Sequence, residues 1–191
     1  MADWFVENRA GTASISDKIY LSLETAQQAS HIYVAADNPL AARNIEQYTK
    51  GECSFEVMAR VAFATMHADA RLCFGITDGD TSSGVVAFLD STGAFGIGGW
   101  NDSGDAGTAA GACPLDGRGW IRINCRAGVI SAGCGTGTQT KPPENWYTIQ
   151  PGSPRGSKPF SFLSVHLTKW STGGPATCGV DNVSIRSYKD F

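Results

Sequence analysis

Charge is scarce in this chain. Only 17% of its 191 residues are Asp, Glu, Lys or Arg, and the net charge is −3. No run or patch of Lys and Arg stands out, so nucleic acid is not an expected partner. No apolar stretch reaches the roughly 18 residues of a membrane span, so no membrane partner is expected either. The N-terminus, M-A-D-W-F-V-E-N-R, lacks the basic start and apolar core of a secretory signal. The expectation is a chain made in a cytoplasm that reaches the outside, if at all, by another route such as lysis. None of the six cysteines forms C-x-x-C, which argues against a zinc ribbon or a redox dithiol. G-x-S-x-G is missing, and His31, His67 and His166 are scattered with no nucleophile beside them. No Glu-x-Asp strand offers the paired carboxylates of glycan hydrolysis, and Glu52, Glu56 and Glu144 stand alone. These absences predict a protein that is not an enzyme and carries no cofactor.

Glycine is abundant. There are 23, and they cluster between apolar runs without forming a repeat, as many tight turns between short strands require. Most cysteines are expected to be buried free thiols, Cys53 and Cys73 in or beside strands among them. Cys113, Cys134 and Cys178 lie in Gly-rich surroundings and are the candidates for bridges.

The most informative stretch is Val57 to Thr77. Phe55, Val57, Ala59, Val61 and Phe63 alternate, as do Leu72, Phe74 and Ile76, with Glu56 and Arg60 on the opposite face. The break at His67-Ala68-Asp69 predicts an antiparallel pair joined by a short loop. Gly84 to Asp90 suggests a central strand. Ile121, Ile123 and Cys125 alternate, as do Leu163, Val165 and Leu167. Val180, Val183 and Ile185 close the chain. Phe63, Phe74, Ile123 and Val165 are expected to share one core. Three loops are expected, at Asn101–Gly111, Gly133–Asn145 and Gly152–Pro159.

Residues 1–52 read differently. Trp4, Phe5 and Val6 form an apolar cluster at the terminus, Ile19, Leu21 and Leu23 alternate, and residues 31–36 around Ile32 form another extended candidate. Asn38-Pro39 predicts a helix from Leu40 to about Tyr48, stopping at Gly51. The division expected is an N-terminal arm over 1–52 and a β-sandwich over 53–191.

At least eight strand candidates and one short helix predict an all-β, antiparallel two-sheet sandwich. The runs F-E-V-M-A-R-V-A-F, R-L-C-F-G-I-T-D-G, V-V-A-F-L-D, G-W-I-R-I-N-C and C-G-V-D-N-V-S-I resemble a concanavalin A-like or laminin G-like jelly roll. The resemblance covers about residues 53–191. Such domains are widespread among binding proteins, so it implies fold before function.

Asp78-Gly79-Asp80 looks like part of a calcium loop, but no Glu closes it, and a solvated turn is the plainer reading. Asp102 and Asp105 are treated alike, and no metal is assigned. Trp100, Trp146, Tyr147 and Trp170 border the three long loops, where flat rings stack on sugars, anchor an interface or simply cap the core. Trp4, Phe5, Ile19, Leu21 and Ile32 need burial, either against a neighbouring subunit or against the chain's own sandwich. In overall organisation the chain resembles phage virion proteins, such as capsid decoration (cement) or tail-associated β-sandwich proteins. That resemblance implies a virion protein that meets copies of itself and a major capsid or other virion protein. A carbohydrate-binding module with a glycan partner is the alternative.

Overall fold

β5 (Ser54–Thr65) is the middle strand of its sheet, and its alternation shows why the chain folds as two layers. Phe55, Val57, Ala59 and Val61 are at most 1% exposed and face inward. Burying each large side chain of this kind is worth roughly 1.5–3 kcal/mol. The structure, a computed structural model, describes residues 4–7, 10–25, 40–49, 54–77, 84–90, 94–101, 104–112, 117–127, 129–149, 160–169 and 171–188.

The other strands are β1 (Trp4–Glu7), β2 (Thr12–Ile15), β3 (Ile19–Leu23), β4 (Leu40–Asn44), β6 (Ala70–Thr77), β7 (Gly84–Leu89) and β8 (Ala94–Asn101). They continue with β9 (Gly104–Ala112), β10 (Arg118–Arg126), β11 (Val129–Gly135), β12 (Tyr147–Ile149), β13 (Phe162–Lys169) and β14 (Ala176–Tyr188). One seven-stranded sheet runs β1-β4-β13-β6-β7-β8-β9, and the second runs β12-β11-β10-β5-β14-β3-β2. Every pairing between described strands is antiparallel. The expected two-sheet antiparallel sandwich is the observed fold. Phe74, Ile123 and Val165 are fully buried in its core, while Phe63 packs against that core half-buried.

Several local expectations change. β5 and β6 do not form a hairpin: β5 pairs with β10 and β14, whereas β6 pairs with β13 and β7 in the other sheet. The turn at His67 is therefore a corner between layers. The His67 N–H donates to the Pro175 carbonyl at 3.2 Å, and the Ala70 N–H donates to the His67 carbonyl at 3.0 Å. The fully buried Lys169 ammonium braces the corner by donating to the carbonyls of Glu24 (2.6 Å) and Gly174. Burial lowers the Lys169 pKa, while the charges of Asp69 and Glu24 pull it back up.

Leu40–Asn44 is a strand, not the first turns of a helix. Pairing with β13 and β1 buries Ala41, and that tertiary pairing outweighs the local capping signal. Helix α1 is only Glu46–Thr49, and Asn44 Oδ1 accepts the Glu46 N–H at 3.1 Å. Part of the span expected as the loop 101–111 is the ordered strand β9, paired with β8. Its Gly, Ala and Thr residues hid the alternation.

Residues of the expected arm supply β1 and β4 to one sheet and β2 and β3 to the other. Ile19 and Leu21 are 0% and 1% exposed in the chain's own core, which answers their need for burial within the same chain. The expected strand at 31–36, with Ile32, lies outside the described residues, as do Asp78, Asp80 and Trp170.

Candidate functional site

The outer face of the second sheet carries a groove whose position follows from two irregularities. Register shifts fall between Thr177 and Cys178 and between Asp181 and Ser184, where β14 pairs with β5. The second includes Asn182 in the left-handed region (φ 50°), a conformation that Asn tolerates better than most residues. Bulges of this kind re-aim side chains and locally bend a strand. Between them, one cross-strand row runs Ser14, Tyr20, Gly179, Ala62, Arg118 over five strands. Gly179 and Ala62 leave its centre low. A Cβ on Gly179 would meet nothing closer than 3.9 Å, so the floor is open there.

Two hollows share this floor. One, of about 340 Å³, is lined by residues including Ser14, Lys18, Tyr20, Ala62, Gly179 and Asp181. The other, of about 310 Å³, is lined by Arg60, Arg118, Gly119 and the 136–139 loop. Between them lies the Arg60–Asp181 pair. Arg60 Nε donates to Asp181 Oδ1 at 2.6 Å, and the second guanidinium nitrogen donates to the other carboxylate oxygen. This bidentate contact raises the Arg60 pKa, against the smaller opposing effect of burial. Lys18 Nζ stands 4.0 Å from the same carboxylate.

Tyr20 is 43% exposed on the groove's wall, and its hydroxyl donates to Asp17 at 3.2 Å. Desolvation and that bond raise the phenol's pKa. The bond to Asp17 orients the ring, which presents a flat face to the groove. Sequence reasoning passed over Tyr20. The available signal was an aromatic residue on the polar face of an alternating strand.

The far half of the face is covered by the chain itself. Trp120 Nε1 donates to Thr138 O at 2.9 Å, and Asn182 Nδ2 donates to Gln139 O at 2.8 Å, so the 136–146 segment is tied down at two points. Gly137 (φ 49°) lies so close to the Trp120 ring that a Cβ would fall 2.5 Å from it. Trp146 is not free to stack on a ligand from both sides: the Arg122 guanidinium lies 4.3 Å over its ring. Arg122 also donates to Glu56 at 3.3 Å. Burial lowers the Arg122 pKa and the Glu56 charge opposes that effect.

The remaining expected site residues are dispersed. Tyr147 is 40% exposed on β12, the outermost described strand of its sheet, edge-to-face with Phe95 at 6.3 Å. Trp4 packs half-buried against the core, and Phe5, 44% exposed, meets Phe162 edge-to-face at 6.2 Å. The Trp100 backbone belongs to β8, while its side chain lies outside the described residues. Of the candidate bridge-forming cysteines, Cys134 is disulfide-bonded, with its partner outside the described residues, whereas Cys178 is a buried free thiol. Cys73 and Cys125 are buried free thiols as expected. Among the described residues, no group of three or more His, Cys, Asp or Glu is arranged to hold a metal ion.

No family model and no curated protein matches this sequence. Solved structures do resemble it over nearly the whole chain. The alginate lyase AlgAT5 from polysaccharide lyase family 7 aligns at a TM-score of 0.62 and 7% identity, covering 98% of this chain and 95% of that one. The carbohydrate-binding module CBM66 from Bacillus subtilis aligns at 0.55 and 11% identity, covering 96% and 95%. The CBM2 module of the evolved Dit of Lactobacillus casei BL23 phage J-1 aligns at 0.59 and 14% identity, covering 96% and 82%. At such identities the likeness is one of fold, and the fold is a jelly-roll β-sandwich.

Proposed function

We propose that this chain is a non-catalytic carbohydrate-binding sandwich carried on a phage virion, with the outer groove of its second sheet as the glycan site. The observation that carries the reading is the pairing of an exposed, oriented aromatic ring with an open floor: Tyr20 beside Gly179 and Ala62. A flat ring packs on the C–H face of a pyranose, and small floor residues let the sugar approach the sheet. Hydroxyls of Thr12, Ser14, Ser22 and Thr177 border the same hollow and supply donors and acceptors. Asp181 is the one carboxylate among the described residues lining the two hollows, and Arg60 holds both its oxygens. Glycoside hydrolysis uses two carboxylates across the bond, so this groove favours holding a sugar over hydrolysing it. The virion setting draws support from the likeness to a module of a phage Dit, and the carbohydrate reading from that module and from the likeness to a carbohydrate-binding module.

Affinity electrophoresis of the intact protein through gels cast with plant, algal and bacterial polysaccharides tests the reading. At least one polymer should retard the protein, and Tyr20→Ala should abolish the retardation without changing the melting temperature. If no polymer does so, or if retardation survives the substitution, the groove is not the site.

A second reading, self-association or docking to another virion protein, has its own observation. Among the described strands β1 lies at the edge of its sheet, and it exposes Phe5 (44%) and Val6 (40%). Exposed edges pair readily with other chains. Light scattering of the intact protein and of a Phe5→Ser, Val6→Thr variant tests it: an oligomer that dissociates in the variant supports assembly, and a monomer in both rules it out.

A further inference from the structure

The groove differs in charge from the chain around it. The protein is net negative at −3. Yet the hollows are lined by Lys18, Arg60 and Arg118 against a single carboxylate, Asp181. The internal pairing does not use these cations up. Asp181 is bound through both oxygens by Arg60, and Lys18 reaches only 4.0 Å from it. Asp17, the neighbouring acid, accepts from the Ser16 hydroxyl at 2.7 Å and from Tyr20. Arg118 is exposed and makes no ion pair among the described residues. Among the described residues, then, one guanidinium lines the second hollow with its fork unfilled, and one ammonium lines the first.

Resting on the reading of this groove as a glycan site, we propose that its ligand is an acidic saccharide, a chain of uronic-acid type whose carboxylate sits on Arg118 while a ring packs on Tyr20. The spacing suits a chain more than a single sugar. Tyr20 and Arg118 stand in one row on β3 and β10, with β14 and β5 between them. Three strand spacings amount to about 14 Å. Nothing in that row between the two residues is larger than Ala62, so an extended oligosaccharide can lie across the strands and touch both ends. A guanidinium fork takes two oxygens of any planar or tetrahedral oxyanion, and the number of cations here decides between them. A single unfilled fork suits one charge per sugar better than a polysulfated polymer, which would call for a dense field of cations.

The test uses the intact protein, with polygalacturonate, polymannuronate, neutral arabinoxylan and dextran sulfate as probes, in calorimetry and affinity electrophoresis. A polyuronate should bind at least about tenfold more tightly than arabinoxylan at low salt, and added salt should narrow the gap. Arg118→Gln should weaken uronate binding about tenfold, and Lys18→Gln by less, while both keep the wild-type melting temperature. Arabinoxylan binding as tight as uronate binding, and still lost in Tyr20→Ala, would overturn the acidic-sugar assignment and leave the carbohydrate reading standing. Dextran sulfate binding as tightly as the polyuronates would show plain charge attraction and overturn the carboxylate assignment. If none of the four probes binds, the acidic-sugar assignment fails, while the wider polysaccharide survey decides the carbohydrate reading separately.

Discussion

Arg60 and Asp181, 121 residues apart in sequence, stand directly opposite each other on β5 and β14 and close a bidentate ion pair at the centre of the groove. Each side chain is 13% exposed. The pair separates the two hollows and fixes the one carboxylate among the described residues that line them.

Breaking one half of that pair strands the other. Asp181→Ala leaves a mostly buried guanidinium without its partner and should lower stability by about 3 kcal/mol. The Arg60→Met, Asp181→Ala double variant should lose clearly less than the two single losses added together, with a coupling of roughly 1–3 kcal/mol. Urea unfolding of the four proteins measures this, and additive losses would show that the two side chains do not depend on each other.

A second relationship lies on the outer face of the first sheet. Phe88 on β7 is directly opposite Gly96 on β8, and its ring covers the glycine so closely that a Cβ there would fall 2.0 Å from Cζ. The Arg71 guanidinium lies 4.7 Å over the same ring. Gly96→Ala must push the ring aside and should cost about 1–3 kcal/mol. In a Phe88→Leu background the same substitution should cost markedly less, because the obstruction is gone. Thermal melts of the four proteins check the pattern, and an equal cost in both backgrounds would place the strain in the backbone.

Much of this architecture was legible in the sequence because a period of two names the buried face directly. Phe74, Ile123, Val165 and Leu167 all point inward as their alternation requires. The same period does not say which sheet a strand joins. β5 and β6 read as a hairpin, but the corner at His67 depends on Pro175, Glu24 and Gly174, which are distant in sequence. β9 was hidden because Gly and Ala give no contrast between faces. At Leu40 a good local cap lost to pairing with β13, which no local rule contains. The site was less legible than the fold. Arg60 was placed on the outer face, but its partner Asp181 and the row joining Tyr20 to Arg118 exist only once the strands are in register. The tryptophans drew notice by their size, whereas the exposed ring in the groove is Tyr20.

The buried thiols should be chemically silent in the native protein. Desolvation pushes Cys178 up to about 12 and raises Cys73 further, so neither is a thiolate at neutral pH. Iodoacetamide at pH 8, followed by peptide mapping, should leave both unmodified in native protein and label both after denaturation in urea. Labelling of either residue in the native state at a rate like that of the unfolded chain would contradict the burial.

The corner at His67 gives the acid limb of stability a specific origin. Asp69 sits in the turn after β5, where its carboxylate contacts His67 Nδ1 and the nearby Ser171 helps to lower its pKa. Burial alone would raise its pKa, but the Ser171 and His67 contacts outweigh burial and lower it below the ordinary 3.8. The folded state therefore holds the carboxylate ionised to lower pH than the unfolded chain does. Above the unfolded value of about 3.9 the contribution is fully present and constant with pH. As pH falls below it, the unfolded chain takes up the proton first, so stability drops until the folded group also protonates. Asp69→Asn should be less stable than wild type at pH 7, and its urea midpoint should fall less steeply on acidification below about pH 4, so that the two curves converge. Ser171→Ala should reproduce part of the effect, because it removes one of the two contacts. Asp17, whose pKa is also lowered, titrates in every variant, and the difference between the curves isolates Asp69. Parallel curves across the acid range would show that the turn gains nothing from the charge on this carboxylate.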